Sequence, residues 1–366
     1  MDKQQALQHF YEHHYLPLLE IQMETLEAEL HHGKAQFISN FTASFQKLCS
    51  HILRMQQQGD KEPIAYIHYS FLRTQILEHS YLYMVEAYSG KWYEDQAECR
   101  LSYDASWVFT HFTAMLEALE QDRKKYMGVL HAADIERLML KATPFFHQFV
   151  SSIIHLAITE AVQLPEYKAI HKAKRLFIRT GEYKDISECV YVEDQENPNT
   201  DEVRKLLMQT NEEPYIYENL RNLSLPHLHV VEKDLRYNDF SQSDLRGSQF
   251  LSCVLMGSQW QEAHIEGGSF RGSLLSDADF RYSHLQGADF RGTSGQAYRE
   301  KGHRVPGLCG IRFDFANLDE ADFTDAYSFE HAYFEGASMY GTKVPRKYQQ
   351  LWKLSDEQLK SIVWTE

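Results

Sequence analysis

Cysteine is scarce in this sequence. Five residues (Cys49, Cys99, Cys189, Cys253 and Cys309) are scattered over 366 positions, and no two form a Cys-x-x-Cys pair. An odd number of distant thiols excludes a disulfide framework and a zinc ribbon, and fits reduced thiols in a cytoplasmic protein. No apolar run approaches the ~18 residues that mark a membrane span. The opening MDKQQALQHFYEHHY lacks the apolar stretch of a signal peptide. Positive charge is also short, with 37 Lys and Arg against 52 Asp and Glu and a formal charge of −15. Nonspecific nucleic-acid binding needs clustered cations, so neither nucleic acid nor an anionic membrane is expected as a direct partner. Phosphate-cradling glycine loops, the Gly-x-Ser-x-Gly elbow and His-Glu-x-x-His are all missing.

What is present divides the chain in two. Up to about residue 190 the apolar period is helical. Phe37, Phe41, Phe45, Leu48 and Ile52 recur at three or four residues and end at Gly59. Trp107, Val108, Phe112, Met115 and Leu119 form a second stripe, and Phe146, Phe149, Val150, Ile153 and Ala157 a third. Pro63–Ser89 reads as helical up to Gly90, and HKAKRLFIRT as a last helix closed by Gly181. Pro17 and Pro144 are expected to kink or split their helices. The expectation is an all-α helical bundle over 1–190. A polar segment with a short helix at Asp201–Thr210 then serves as linker and cap over 191–228.

The bundle invites a metal reading. His9 and His13 are four residues apart, and Glu29 and His32 three, which places each pair on one helix face. A di-metal carboxylate site wants two Glu-x-x-His motifs, and only one is present. The sequence therefore predicts no metal or other cofactor, with His9, His13, Glu29 and His32 as the residues to examine if one exists.

The second half has a period of five, which is neither helix nor strand. Leu235, Phe240, Leu245, Phe250, Leu255, Trp260, Ile265, Phe270, Leu275, Phe280, Leu285 and Phe290 keep unbroken register. From Ser243 onward a small residue precedes each by two positions; Lys233 and Asn238 are exceptions at the start. Units this short cannot bury themselves alone and must stack. Aliphatic and aromatic residues alternate strictly, a period of ten. With four sides, and so four units per coil, like stacks on like at the ~4.8 Å spacing of hydrogen-bonded strands. Arg291–Gly310 drops the period and reads as a loop thrown out of the coil. Register resumes at Phe313, Leu318 and Phe323, then slips by one residue to Phe329, Phe334 and Met339. Ser355 and Gln358 form a capping-box pattern that opens a C-terminal cap helix within 341–366.

Units such as SDLRG, ADFRY, ADFRG, ANLDE and ADFTD resemble the pentapeptide-repeat family over about residues 229–340, roughly a third of the chain. The resemblance implies a right-handed quadrilateral β-helix. The expected fold is α+β with two domains: an N-terminal all-α bundle, then this β-helix with a C-terminal capping helix.

A coil filled by its own side chains has no room for a ligand, so its walls do the work. The expected function is a non-enzymatic protein-interaction scaffold, whose partner is another protein or a second copy of the chain. The resemblance implies an alternative, mimicry of duplex DNA toward DNA gyrase or another topoisomerase. A second alternative is a metal-dependent enzyme in the bundle. A duplex mimic would be acidic along its length. Here Val305–Tyr340 carries seven acids and one base, while Leu225–Arg304 carries ten and nine, with outward Arg236, Arg246, Arg271, Arg281 and Arg291. The partner-binding candidates are the basic loop residues Arg299, Lys301, His303 and Arg304 with the acidic wall Asp319, Glu320, Asp322 and Asp325.

Overall fold

The computed structural model describes residues 2–195, 198–209, 214–300, 303–305 and 310–366. The chain divides into two compact units, Met1–Glu193 and Asp194–Glu366.

The first unit is not an all-α bundle. α1 (Lys3–Phe10) runs through a π turn at Tyr11–Tyr15 into α2 (Leu16–Gln58), which ends at left-handed Gly59. The break expected from Pro17 takes the form of that π turn, since a proline near a helix start cannot donate to the preceding turn. Next come β1 (Ile64–Phe71), α3 (Arg73–Leu77), β2 (Leu82–Ser89), β3 (Arg100–Asp104) and α4 (Ser106–Arg123). The unit closes with α5 (Ala132–Ala161), α6 (Pro165–Ala169), β4 (Lys172–Glu182) and β5 (Ser187–Asp194). α5 runs unsplit across Pro144. The five strands form one sheet in the order β3-β2-β1-β4-β5, with β1 and β4 parallel.

The two segments read as helices thus contain strands; for β1 the reason is burial, while β4 keeps a strand's alternation at Leu176, Ile178 and Thr180. Seven of the eight residues of β1 are buried, on both faces, which erases the period of two that marks a half-exposed strand. The predicted stripes of α2, α4 and α5 do form the core. Phe41 meets Tyr69 of β1 at 5.1 Å between ring centroids, and Phe112 meets Phe146 at 5.4 Å.

Two histidines are sealed into this unit. His147 is buried beside Tyr83, whose hydroxyl lies 2.9 Å from Nδ1, and burial lowers its pKa to about 4. His68 is lowered to about 4 by burial and, secondarily, by Arg179. A histidine whose folded pKa lies below its unfolded value contributes fully above pH ~6.5 and loses stability as pH falls toward 4. Each should add a slope of up to about 1.4 kcal/mol per pH unit in that window. Urea unfolding of the full chain between pH 4.5 and 7 is expected to show this loss in the first unit. His147→Gln should remove roughly half of it, leaving the His68 share, and an equal slope in the variant would contradict the assignment.

In the second unit, α7 (Thr200–Met208) buries Val203 and Leu207 in the apolar core of the coil. It covers the coil's first end. The coil also begins earlier than residue 229. Leu220, Leu225 and Val230 are fully buried in the five-residue register, and Asn219 already bridges Asp239. β6 (His229–Val231) and β7 (Gln249–Leu251) pair in parallel, and isolated parallel bridges such as Asp239 to Gln259 and Gln259 to Asp279 continue the same register.

All twelve predicted positions from Leu235 to Phe290, and Phe313, Leu318 and Phe323, are completely buried. Phe250 lies over Phe270 at 5.8 Å and Phe270 over Phe290 at 5.0 Å, nearly parallel. A second aromatic column runs Phe240, Trp260, Phe280, Phe313, Phe334. The two columns meet edge to face, Trp260 against Phe270 at 5.3 Å and 89°. Parallel stacking within a column and T-shaped contact between columns are the two geometries that ring quadrupoles favour.

The small position has its own chemistry. Ser243, Ser248 and Ser273 donate to the carbonyls of Leu220, Leu225 and Phe250 and accept from backbone N–H groups of the preceding coil. A buried hydroxyl therefore ties coil to coil. Asn238, one of the two exceptions, does the same with its amide toward Tyr215 and Glu218.

The excursion begins later than expected, because Thr293 and Ser294 keep register and Ser294 bridges Tyr327. Beyond Gly295 the chain forms a hairpin of β8 (Tyr298–Glu300) and β9 (His303–Val305). The coil closes over this insertion by bridging Asp279 to Arg312, and it absorbs the one-residue slip by bridging Arg312 to Tyr333. The end is closed by β10 (Lys343–Pro345), the capping-box helix α8 (Asp356–Ser361) and β11 (Val363–Thr365), which pairs with β10. Trp352 lies on Phe334 at 4.2 Å and donates to the Phe329 carbonyl.

Candidate functional site

The walls of the coil carry two outward residues on each side, flanking the inward one. At five places along the array these are an aspartate and an arginine two positions apart. Arg236 pairs with Asp234, Arg246 with Asp244, Arg281 with Asp279 and Arg291 with Asp289, all at 2.6–2.7 Å. Arg312 pairs with Asp314 at 3.0 Å. These ion pairs each cancel locally, so their arginines, though several are well exposed, add no net positive charge to the wall.

The last coils differ. Of the predicted acidic wall, Asp319 accepts from Ser338 and the Tyr340 N–H, and Asp322 from the Thr324 N–H and Lys343. Those carboxylates hold neighbouring coils together. Glu320, Asp325, Glu330 and Glu335 remain exposed. Among them stand large aromatics that the five-residue register does not predict, because they fall outside it. Tyr282 and Phe315 are about half exposed and stacked at 5.2 Å, and Tyr340 is 71% exposed. Tyr333 and Tyr327 are also exposed. By register, Tyr333, Phe315 and Tyr340 lie on two adjacent walls. The available signal was a run of aromatic residues at positions that elsewhere hold Asp, Arg or Gly.

Arg299, His303 and Arg304 fall on the hairpin strands, and Lys301 lies outside the described residues. The hairpin base leans on the coil through Tyr298, whose ring lies 4.4 Å from the Arg236 guanidinium.

The metal candidates of the first unit do not converge. His9 bonds Tyr126 at 2.7 Å and meets His13 at a tilt of 50°, Glu29 pairs with His111 at 3.0 Å, and His32 bonds the Ala28 carbonyl. Among the described residues, no three potential metal ligands come together there. An open groove of about 910 Å³ lies between α2 and β3, lined by Lys47, His51 and Arg54. Cys49 and Cys99 are raised to about 12 and 11, chiefly by burial, and Cys189 and Cys253 to about 11 for the same reason. Thiols so shifted are not nucleophiles at neutral pH.

Residues 261–294 match the family Pentapeptide repeats in eight copies. This stretch is a pentapeptide-repeat array. The family match does not extend to the first unit. Among curated proteins, none matches this chain. Similar solved structures include QnrB1, a plasmid-mediated fluoroquinolone resistance protein, at 18% identity, covering 41% of this chain and 67% of that one with a TM-score of 0.18. HetL from Nostoc sp. strain PCC 7120, a pentapeptide repeat protein involved in heterocyst differentiation regulation, is 17% identical over 41% and 83%, with a TM-score of 0.16. A pentapeptide repeat protein from the Arabidopsis thaliana thylakoid lumen is 19% identical over 42% and 75%, at 0.12. At such identities and TM-scores, what those proteins do stays with them. No described helix is long and apolar enough to cross a membrane.

Proposed function

We propose that this chain is a non-enzymatic interaction protein whose pentapeptide-repeat coil offers its last turns to a protein partner. The observation that carries this reading is the cluster of exposed Phe315, Tyr333 and Tyr340 among the exposed acids Glu320 and Glu335. Tyrosines are large, rigid and amphipathic, and they concentrate binding energy at protein interfaces. The surrounding carboxylates favour a partner with a basic rim around an apolar patch. The coil itself is read as a right-handed quadrilateral β-helix, supported by bridges that join every fourth unit and by the four inward columns. Such a rod has little conformational freedom to lose on binding.

Duplex mimicry toward a topoisomerase has less support, since the Asp–Arg pairs interrupt any continuous negative wall. An enzyme in the first unit has less support too, because Cys49 and Cys99 are buried, Cys189 is half-buried, and its candidate ligands are dispersed.

The test immobilises the full chain and compares captured proteins, identified by mass spectrometry, between wild type, a Phe315→Ala/Tyr333→Ala/Tyr340→Ala variant, and a variant with residues 296–308 replaced by a Gly-Ser linker. The triple variant is expected to melt near the wild-type temperature and to lose at least one partner about tenfold or more, on the order of 1.4 kcal/mol. Retention of every partner by the triple variant would reject this surface. Loss only in the linker variant would move the site to the hairpin.

A further inference from the structure

We propose that His264, Glu266 and His284 form a site for a divalent late transition-metal ion, zinc(II) or copper(II), on one wall of the coil.

The repeat builds the site. Ile265 and Leu285 point into the core, so the residues flanking them point outward. His264 and His284 are one full coil apart and form a parallel bridge, which places one directly over the other. Their rings stack with centroids 4.4 Å apart and an interplanar angle of 2°. Glu266 shares the outward face with His264, and its Oε1 lies 3.2 Å from His264 Nδ1. One ligand atom from each of the three side chains lies within 4.8 Å of the others. Donors bound to one tetrahedral zinc at ~2.0–2.2 Å sit about 3.4 Å apart. The stacked rings aim their lone pairs side by side, so both imidazoles must turn about their side-chain torsions to converge on one ion, while the backbone can stay in register.

A second observation points to a cation. Glu266 Oε2 is buried, although the side chain as a whole is one-third exposed, and it has no hydrogen-bond partner among the described residues. Gln286, one coil further on, has a buried Oε1 in the same state. A buried carboxylate oxygen without a donor is costly, and a metal ion supplies the missing positive charge. The donor set is two imidazoles and one carboxylate, which suits zinc and copper better than calcium or magnesium. Gly267 and Gly287 follow in the two coils, and a Cβ at either would meet nothing within 4 Å. That leaves a fourth coordination position open to water or to a ligand from outside. Elsewhere in this column the coil carries Asp244 and Asn317, so the paired imidazoles are confined to these two turns. The expectation of no metal rested on the first unit, where ligand pairs were sought at helical spacing. This site uses a spacing of one whole coil, visible only once the winding is known.

The experiment titrates the demetallated full chain with zinc(II) by calorimetry and with cobalt(II) by visible absorption. Wild type should bind about one zinc with a dissociation constant in the low micromolar range or below, and should show the cobalt bands of a four- or five-coordinate nitrogen–oxygen site. His264→Ala/His284→Ala should weaken zinc at least 30-fold and abolish the cobalt bands, and Glu266→Gln should weaken zinc about tenfold. All three side chains point outward from the apolar core, so circular dichroism should be unchanged; should the double variant misfold, His284→Gln alone replaces it with at least tenfold loss expected. His9→Ala/His13→Ala and His229→Ala should leave affinity unchanged. Wild-type binding weaker than about 100 µM, or equal binding by wild type and the His264/His284 variants, would overturn the site. Transfer of the loss to the His9/His13 variant would overturn it equally.

Discussion

Replacing Phe270 with alanine is expected to destabilise the coil by roughly 3–5 kcal/mol, the range for buried aromatic side chains. The ring is completely buried and held on four sides. Phe250 and Phe290 stack on its faces at 5.8 and 5.0 Å, while Trp260 and Phe280 meet it edge to face at 5.3 and 5.2 Å. Truncation removes its transfer free energy and leaves a cavity that the neighbours cannot fill, because each is fixed by its own column. The measurement is the urea midpoint of the coil transition in the full chain, followed separately from that of the first unit. Phe315→Ala is the comparison, since that ring is about half exposed and its loss should cost well under about 1 kcal/mol. A Phe270→Ala cost below about 1 kcal/mol would show that the column contributes no packing.

Gly310→Ala should be comparably damaging, at about 2–5 kcal/mol, although it adds only one methyl group. Gly310 stands where the chain re-enters the coil after the hairpin, at φ +70°, and a Cβ there would overlap the His331 carbonyl oxygen. The left-handed backbone costs a non-glycine residue roughly 1–2 kcal/mol. The clash is with backbone, so relief requires shifting one coil against the next, which adds about 1–3 kcal/mol. Gly292→Ala separates the two contributions: its φ is +64° with nothing near the added Cβ, so it should lose only about 1 kcal/mol. Thermal and urea unfolding of both variants decides the matter. Equal losses at the two positions would mean that close approach at Gly310 is not what selects glycine there. Non-glycine residues such as Tyr237, Gln242 and Phe315 occupy the same left-handed corner in other coils, so positive φ alone does not demand glycine in this array.

The five-residue register by itself determines the interior of the coil. It does so because each unit contributes one large inward side chain, so the pattern repeats without interruption from Leu235 to Phe290. The alternation of Leu with Phe favours four units per turn over three or five, since an odd number would stack each ring on an aliphatic residue. The capping box at Ser355 and Gln358 was equally legible, as a local hydrogen-bond pattern needs no distant partner. The first unit was less legible. Ile64–Phe71 is buried on both faces, and Lys172–Glu182 joins the sheet beside it from far along the chain. A strand whose period is hidden by burial declares itself only through its neighbours. The same holds for function. The Asp–Arg pairing, the coil-to-coil bonds of Asp319 and Asp322, the exposed Tyr340 and the meeting of His264 with His284 depend on which coil lies above which. Side chains four units apart become neighbours only when the chain has wound once around, and that is a property of tertiary structure.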